Sequence, residues 1–191
     1  MRCVVLDAMG VLFQAADDVA ELLIPFVAQA GGTDDSDAIE AAYLEASVGM
    51  IDADEFWQVV GLEPSIEDAY LSRHALVPGA EAFLQHARRQ KISVWCLSND
   101  VGRWSRKLRT RFDIEDLLTG AVISSDVHAR KASREIYEYL LTQSGFRPED
   151  LFFVDDRAKN VAAALALGIA AEQFDPRIGF RDLLDRALGA T

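Results

Sequence analysis

The sequence contains few cysteines, histidines and prolines, and it has no long uninterrupted hydrophobic run. Its 191 residues include two cysteines, three histidines and five prolines. Cys3 and Cys96 both lie within apolar segments, which indicates reduced thiols in the core rather than a disulfide or a metal pair. No apolar stretch approaches the roughly 20 residues needed to cross a bilayer, and the N-terminus lacks a signal-peptide pattern. We therefore expect a cytoplasmic protein with no membrane partner.

Basic residues are scarce relative to acidic ones. Lys and Arg together number 19 against 31 Asp and Glu, and the formal net charge is −12. A mean field of that sign repels nucleic acid, so we expect no nucleic-acid partner. A small anionic substrate is not excluded, because a bound divalent cation and one or two basic side chains can reverse the charge locally.

Hydrophobic periodicity divides the chain into an α/β part and a helical insertion. In residues 1–13 and 76–191, short apolar strands alternate with amphipathic helices, which predicts a Rossmann-like parallel sheet with helices on both faces. Residues 14–75 show helical spacing without a strong strand signal. Within them, Asp52 and Glu55 have the spacing of a capping box. This insertion is predicted to be a small all-helical cap.

Polar side chains follow three of the predicted strands at the point where each strand ends. Asp7 follows the first strand, Ser98 and Asn99 follow another, and the pair Asp155-Asp156 follows a third. The carboxyl ends of parallel strands meet at one edge of a sheet, so these groups are expected to converge. Carboxylates from two strands could hold a hard cation, while Ser98 and backbone N–H groups face a phosphate.

Four motifs occur at these element boundaries. They are Asp7-Ala8-Met9-Gly10-Val11-Leu12-Phe13, Leu97-Ser98-Asn99, Arg130-Lys131, and Phe153-Val154-Asp155-Asp156-Arg157-Ala158-Lys159-Asn160-Val161. Together and in this order they resemble the haloacid dehalogenase superfamily over nearly the whole chain. The insertion after the first motif is similar to the small helical cap of that family. The resemblance implies a hydrolase, and in particular a Mg²⁺-dependent phosphatase.

The resemblance implies a catalytic or binding role for each matching position. Asp7 would attack phosphorus and form an aspartyl-phosphate, which splits one difficult displacement into two easier ones. Lys131 would neutralise charge on Asp7 and on the phosphoryl oxygens. Ser98 and Asn99 would hold the phosphoryl group. The loop at Met9-Gly10 is also counted among the substrate-binding positions.

The same resemblance implies a set of metal ligands. Asp7, the Met9 backbone carbonyl and Asp156 would bind Mg²⁺, and Asp155 would act directly or through water. Plain structural roles remain open beside these: Asp7 as a strand terminator, and the Asp155-Asp156 pair as a helix N-cap. Ser98 and Asn99 could likewise cap the following helix, and Lys131 could be an ordinary solvated side chain.

Met9 departs from the family pattern. Phosphatases of this family usually carry an Asp two residues after the nucleophile, which protonates the leaving oxygen and later activates water. A thioether does neither, and losing a positioned acid/base removes roughly 10²–10⁴ in rate. The enzyme is expected to be slow, selective for good leaving groups, or supplied with a proton from elsewhere. Asp17 or Asp18 could supply it, although both also suit N-capping; His128 could, although it also suits the surface.

Three functions therefore stay open. The leading one is a phosphomonoesterase acting on a small phosphorylated metabolite. The second is carbon–halogen hydrolysis, because 2-haloacid dehalogenases resemble this chain in lacking the second Asp. Those enzymes need no metal, and the Asp155-Asp156 pair would then place two anions beside a substrate carboxylate. The third is a phosphate-binding regulatory protein that has lost turnover.

Overall fold

A single parallel sheet forms the centre of the computed structural model, which describes residues 3–189. Its strands are β1 (Cys3–Leu6), β2 (Ser93–Ser98), β3 (Gly120–Ile123), β4 (Leu151–Asp155) and β5 (Ala170–Gln173). They are arranged in the order β3-β2-β1-β4-β5. The predicted parallel α/β architecture is confirmed. The outermost residues of the predicted α/β ranges, 1–2 and 190–191, lie outside the described part of the chain.

The register of the three central strands brings their carboxyl ends level. Leu6, the last residue of β1, lies opposite Cys96 of β2 and Val154 of β4. All four residues of β1 are buried, as expected for a parallel strand covered by helices on both faces. The residues that follow Leu6, Leu97 and Val154 therefore meet at one edge.

Ten α-helices connect and cover the strands in the described part of the chain. They are α1 (Ile24–Gln29), α2 (Ser36–Ser47), α3 (Ala53–Val59), α4 (Glu67–Leu71), α5 (Ala80–Arg89), α6 (Gly102–Arg111), α7 (Ser124–Val127), α8 (Arg134–Ser144), α9 (Ala158–Ala166) and α10 (Leu183–Leu188). None of the helices in residues 3–189 is both long and apolar enough to cross a bilayer.

The predicted insertion is helical where it is described. A short π-helical turn at Val19–Leu23 precedes α1, and the capping box at the start of α3 is present, with Asp52 and Glu55 bonded reciprocally. The two ends of the insertion meet, because the Gln14 N–H donates to the Ala75 carbonyl at 2.9 Å. That contact supports the predicted boundaries, and the division into core and cap stays a prediction.

One hydrophobic cluster runs from the sheet into the inserted helices. Trp57 and Phe56 of α3 are fully buried, and the Trp57 ring lies 5.3 Å from that of Trp104 on α6. Glu67 of α4 is buried beside them, where it accepts hydrogen bonds from the indole N–H groups of Trp57 and Trp104. The insertion is therefore packed firmly on the face of the sheet that carries α6.

Candidate active site

A cavity of about 490 Å³ lies at the carboxyl edge of the sheet, between the strand ends and the inserted helices. Five residues predicted to act in the site line it, namely Asp7, Met9, Ser98, Asn99 and Lys131. The prediction that polar groups from separate strand ends converge at one place is confirmed.

Lys131 joins two of the predicted carboxylates. Its Nζ lies 2.6 Å from Asp7 Oδ1 and 2.8 Å from Asp155 Oδ2, and it donates a third bond to the Leu97 carbonyl at 2.7 Å. These contacts use all three donors of the ammonium group. The Lys131 side chain is only 1% exposed, so its charge is fixed in place rather than solvated.

Burial and neighbouring charges shift the pKa values of both members of the ion pair, Asp7 and Lys131. Burial raises the pKa of Asp7, Asp155 adds to the effect, and Lys131 opposes it. Burial alone would lower the pKa of Lys131, but the carboxylates of Asp7 and Asp155 outweigh it and raise the pKa. Lys131 is therefore held as a cation between two acids.

Asp155 is the most completely bonded of the acids. Its Oδ1 accepts from the Arg157 N–H at 2.8 Å, and its two oxygens lie 2.9 and 3.0 Å from Asn160 Nδ2. Burial would raise the pKa of Asp155, but Lys131 and these donors hold it below its usual value. Lys131, the Arg157 N–H and Asn160 together hold Asp155 in place.

One carboxylate oxygen of Asp156 lacks a hydrogen-bond partner in the described part of the chain. This oxygen, Oδ1, is buried. Burial and then the charge of Asp155 raise the pKa of Asp156. Buried polar atoms in native proteins nearly always have a partner, so this oxygen is suited to bind a ligand such as a metal ion.

The three acids fit a divalent cation. Asp7, Asp155 and Asp156 each offer an oxygen, and these oxygens lie within 4.8 Å of one another. Octahedral Mg²⁺ places its oxygen ligands roughly 3 to 4 Å apart. When all are ionised, three carboxylates and the one ammonium of Lys131 leave a net charge of −2, which a divalent ion balances. Whether the Met9 carbonyl also binds the ion stays a prediction.

Gly10 makes room for Asp156. Its φ is +78°, and a Cβ at this position would come within 2.6 Å of Asp156 Oδ2. Its N–H donates to the Phe13 carbonyl at 2.8 Å, and Gly10 is not among the residues that line the cavity. That Gly10 binds substrate stays a prediction, whereas the space that a side chain would need at Gly10 is occupied by Asp156.

Ser98 and Asn99 have different surroundings although they are adjacent. The Ser98 hydroxyl is buried at the end of β2 and finds no partner in the described residues. The Asn99 amide is occupied, because Nδ2 donates to the Lys131 carbonyl at 3.0 Å and Oδ1 accepts from the Lys131 N–H at 2.7 Å. Ser98 is available to a ligand, while Asn99 holds the lysine loop.

Two contacts that sequence reasoning missed tie the inserted helices to the site. The Tyr43 hydroxyl donates to the Asn99 carbonyl at 3.1 Å, and the Arg130 guanidinium, bonded to Ser47 Oγ, lies 5.8 Å from the Tyr43 ring. Tyr43 occupies a helical core position in α2, so no sequence signal distinguished it.

Met9 is nearly buried, and its thioether offers the cavity no proton. His128 bonds to the Val48 carbonyl and does not line the cavity.

Comparison with known proteins agrees with this geometry. A family model described as haloacid dehalogenase-like hydrolase matches residues 1–168. The sesquiterpene phosphatase astK of Aspergillus oryzae is 30% identical over an alignment of 129 residues that covers 63% of this chain. The chain spans 66% of the length of that relative.

Solved structures share the fold at low sequence identity. A haloacid dehalogenase family enzyme of Bacteroides thetaiotaomicron, in complex with magnesium and inorganic phosphate, has a TM-score of 0.79 at 21% identity. The alignment covers 92% of this chain and 95% of that one. The L-2-haloacid dehalogenase of Xanthobacter autotrophicus has a TM-score of 0.65 at 20% identity, with 100% and 84% covered. With the family model matching most of its length, the chain belongs to the haloacid dehalogenase-like hydrolases.

Proposed function

We propose that this hydrolase is a Mg²⁺-dependent phosphomonoesterase that passes a phosphoryl group from a small metabolite to Asp7 and then to water. One observation carries the proposal. Asp7, bonded to Lys131, shares the cavity with Ser98 and belongs to the same acid cluster as Asp156, and Ser98 Oγ and Asp156 Oδ1 are both buried without partners in the described chain. A nucleophile, a phosphate contact and a metal ligand are the three parts that phosphoryl transfer to a carboxylate needs.

The carboxylate of Asp7 acts as the nucleophile. Its Oδ1 accepts from the Ala8 N–H at 2.6 Å and faces Lys131, which leaves Oδ2 for attack. As Asp7 Oδ2 bonds to phosphorus, the bond from phosphorus to the leaving oxygen breaks. Water then attacks phosphorus, the bond to Asp7 breaks, and phosphate leaves. Lys131 and Ser98 hold the aspartate and the phosphoryl oxygens in position during both steps.

The Asp7 carboxylate and the phosphate ester are both anions, so positive charge is needed between them before they react. Mg²⁺ held by Asp7, Asp156 and the Met9 carbonyl, with Asp155 behind them, would offset the charge of nucleophile and ester. The orphaned oxygen of Asp156 and the net charge of the acid cluster support this assignment.

Carbon–halogen hydrolysis is the second candidate, and Met9 is the observation that favours it. The acid cluster weighs against it, because a haloacid would bring its own carboxylate to a site that already holds three. Phosphate with a divalent cation balances that cluster, whereas a haloacid alone adds to its negative charge.

The substrate is proposed to be a small phosphate ester. The cavity of about 490 Å³ suits a metabolite rather than a macromolecule. Because one relative is named a sesquiterpene phosphatase, a sesquiterpenyl phosphate belongs in the test panel.

Both cysteines are buried and unpaired, which agrees with a reducing compartment such as the cytoplasm.

The test measures phosphate release from p-nitrophenyl phosphate, an alkyl phosphate and a sesquiterpenyl phosphate, with Mg²⁺ or with EDTA. Wild-type protein should release phosphate only with the metal, and Asp7→Asn should abolish release. Asp34→Asn is the matched control, because Asp34 is exposed and does not line the cavity.

Other outcomes separate the alternatives. Halide release from 2-chloropropionate in EDTA, without phosphate release, would establish the dehalogenase instead. Mg²⁺-dependent binding of phosphate with no turnover of any ester would establish a binding protein.

A further inference from the structure

Asp18 is a buried acid in the cavity wall that the steps above do not use. It lies on the side of the inserted helices, across from the strand ends, and lines the same cavity as Asp7 and Met9. Only 6% of its surface is exposed. Burying a carboxyl costs free energy unless it is paired or protonated, so its presence in this wall needs an explanation.

Helix capping does not explain Asp18. The neighbouring Asp17 does that work: its Oδ1 accepts from the Ala20 N–H at 3.2 Å, and its own N–H donates to Glu21 at 2.9 Å. The side chain of Asp18 makes no capping bond to the π-helical turn that follows it. Such turns are rare and frequently occur at functional sites.

The groups around Asp18 favour its protonated form. Burial has the largest effect and, with the charge of Asp17, raises the pKa of Asp18 to about 7; nearby backbone N–H groups and Arg157 oppose the shift only in part. Three groups on neighbouring segments, Tyr43, Tyr70 and Asp100, also interact electrostatically with Asp18. A carboxyl in these surroundings can give and take a proton near neutral pH.

Alkyl phosphate hydrolysis requires such a group. The leaving alkoxide must gain a proton as its bond to phosphorus breaks, and the attacking water must lose one. Met9, next to the nucleophile loop, has no proton to give. Apart from the nucleophile Asp7, the other carboxyls of the wall, Asp17, Asp37 and Glu40, are exposed to solvent, while Asp100 is buried but does not line the cavity.

We propose that Asp18 is the general acid and base of the reaction, acting from the inserted helices in place of a residue beside Asp7. The inference rests on the proposed phosphomonoesterase activity. The Asp18 carboxyl donates its proton to the leaving oxygen while Asp7 Oδ2 bonds to phosphorus. The resulting carboxylate takes a proton from the attacking water, phosphate leaves Asp7, and Asp18 is protonated again.

Pre-steady-state kinetics of Asp18→Asn test this role with two leaving groups. p-Nitrophenolate leaves without a proton, so the variant should show a burst of about one equivalent and then stall as phosphorylated protein. With an alkyl phosphate, the first step should slow by roughly 10²–10⁴ and give no burst. The burst itself shows that the variant is folded, and Asp34→Asn should behave as wild type.

The pH profile gives a second measure. In wild type, kcat/KM for the alkyl ester should fall above about pH 7, because the acid must hold its proton, and this fall should be absent in Asp18→Asn. Equal loss of the first step for aryl and alkyl esters, or wild-type rates on the alkyl ester, would overturn the role of Asp18. A wild-type protein inert toward every ester would instead overturn the phosphomonoesterase itself.

Discussion

Asn99 holds the backbone of Lys131 through both ends of its side-chain amide. Its Nδ2 donates to the Lys131 carbonyl at 3.0 Å, and its Oδ1 accepts from the Lys131 N–H at 2.7 Å. The loop that carries the only ammonium bonded to Asp7 in the described chain is thereby attached to the end of β2. Asn99 acts on the reaction through the position of Lys131.

Replacing Asn99 should misplace the lysine. Asn99→Ala leaves the Lys131 N–H and carbonyl without their partners, which costs about 1–3 kcal/mol of stability. We expect kcat for p-nitrophenyl phosphate to fall by on the order of 10²-fold, because small displacements near the reacting atoms have effects of that size. Steady-state kinetics and thermal unfolding measure both effects. Wild-type kcat in a folded Asn99→Ala protein would show that the two bonds do not matter to Lys131.

Asn160 should control metal affinity. Its Nδ2 contacts both oxygens of Asp155, so Asn160→Ala frees a carboxylate that shares the acid cluster. Loss of partners one step removed from a metal typically weakens affinity or activity by roughly 10–100-fold. A Mg²⁺ titration of activity measures the change, with the exposed neighbour variant Lys159→Ala as control. An unchanged Mg²⁺ dependence in Asn160→Ala would show that the bonds from Asn160 to Asp155 do not affect metal binding.

Gly10 and Gly31 form a matched pair for a backbone test. Both have positive φ, +78° and +88°, but a Cβ on Gly10 meets Asp156 Oδ2 at 2.6 Å and a Cβ on Gly31 meets nothing within 4 Å. Gly31→Ala should lose only about 1–2 kcal/mol for the left-handed conformation. Gly10→Ala should lose more stability and also weaken Mg²⁺ dependence, because Asp156 must move. Thermal unfolding with a Mg²⁺ titration distinguishes them; equal behaviour of the two variants would contradict the contact.

Glu67 should make stability depend on pH. Burial alone would raise its pKa, but bonds from Lys107, Arg103 and Trp104 outweigh burial and lower it. The unfolded chain then binds the proton more readily, so this stabilisation is present above about pH 4.5 and is lost as pH falls below that value.

The variant Glu67→Gln tests this sign. It should be less stable than wild type near neutral pH, and its free energy of unfolding should change less between pH 6 and pH 3. Urea unfolding across this range measures the difference. A parallel pH dependence in both proteins would show that the Glu67 cluster, in which Arg103 and Lys107 are partly exposed, is too well solvated to contribute.

Much of the fold followed from the pattern of apolar residues. A first strand ending just before Asp7 was predicted and is β1, Cys3–Leu6, and the capping box at Asp52 was predicted from spacing alone. These features depend on interactions between residues close in sequence, which is why they could be inferred. Asp7 was placed at an active edge for the same reason, since a polar residue directly after a buried strand has few other positions.

The tertiary structure decided which of the convergent residues are bonded within the protein and which are available to ligands. The sequence determined that Asp7, Ser98 and the pair Asp155-Asp156 come at the ends of buried strands, and this brought them to one edge. Only the fold decided that Asp156 Oδ1 lacks a partner in the described chain while Asp155 is fully bonded, and that Asp18 faces the cavity while Asp17 caps a helix. Hydrogen-bond satisfaction and burial depend on contacts between distant segments, which residue spacing does not encode.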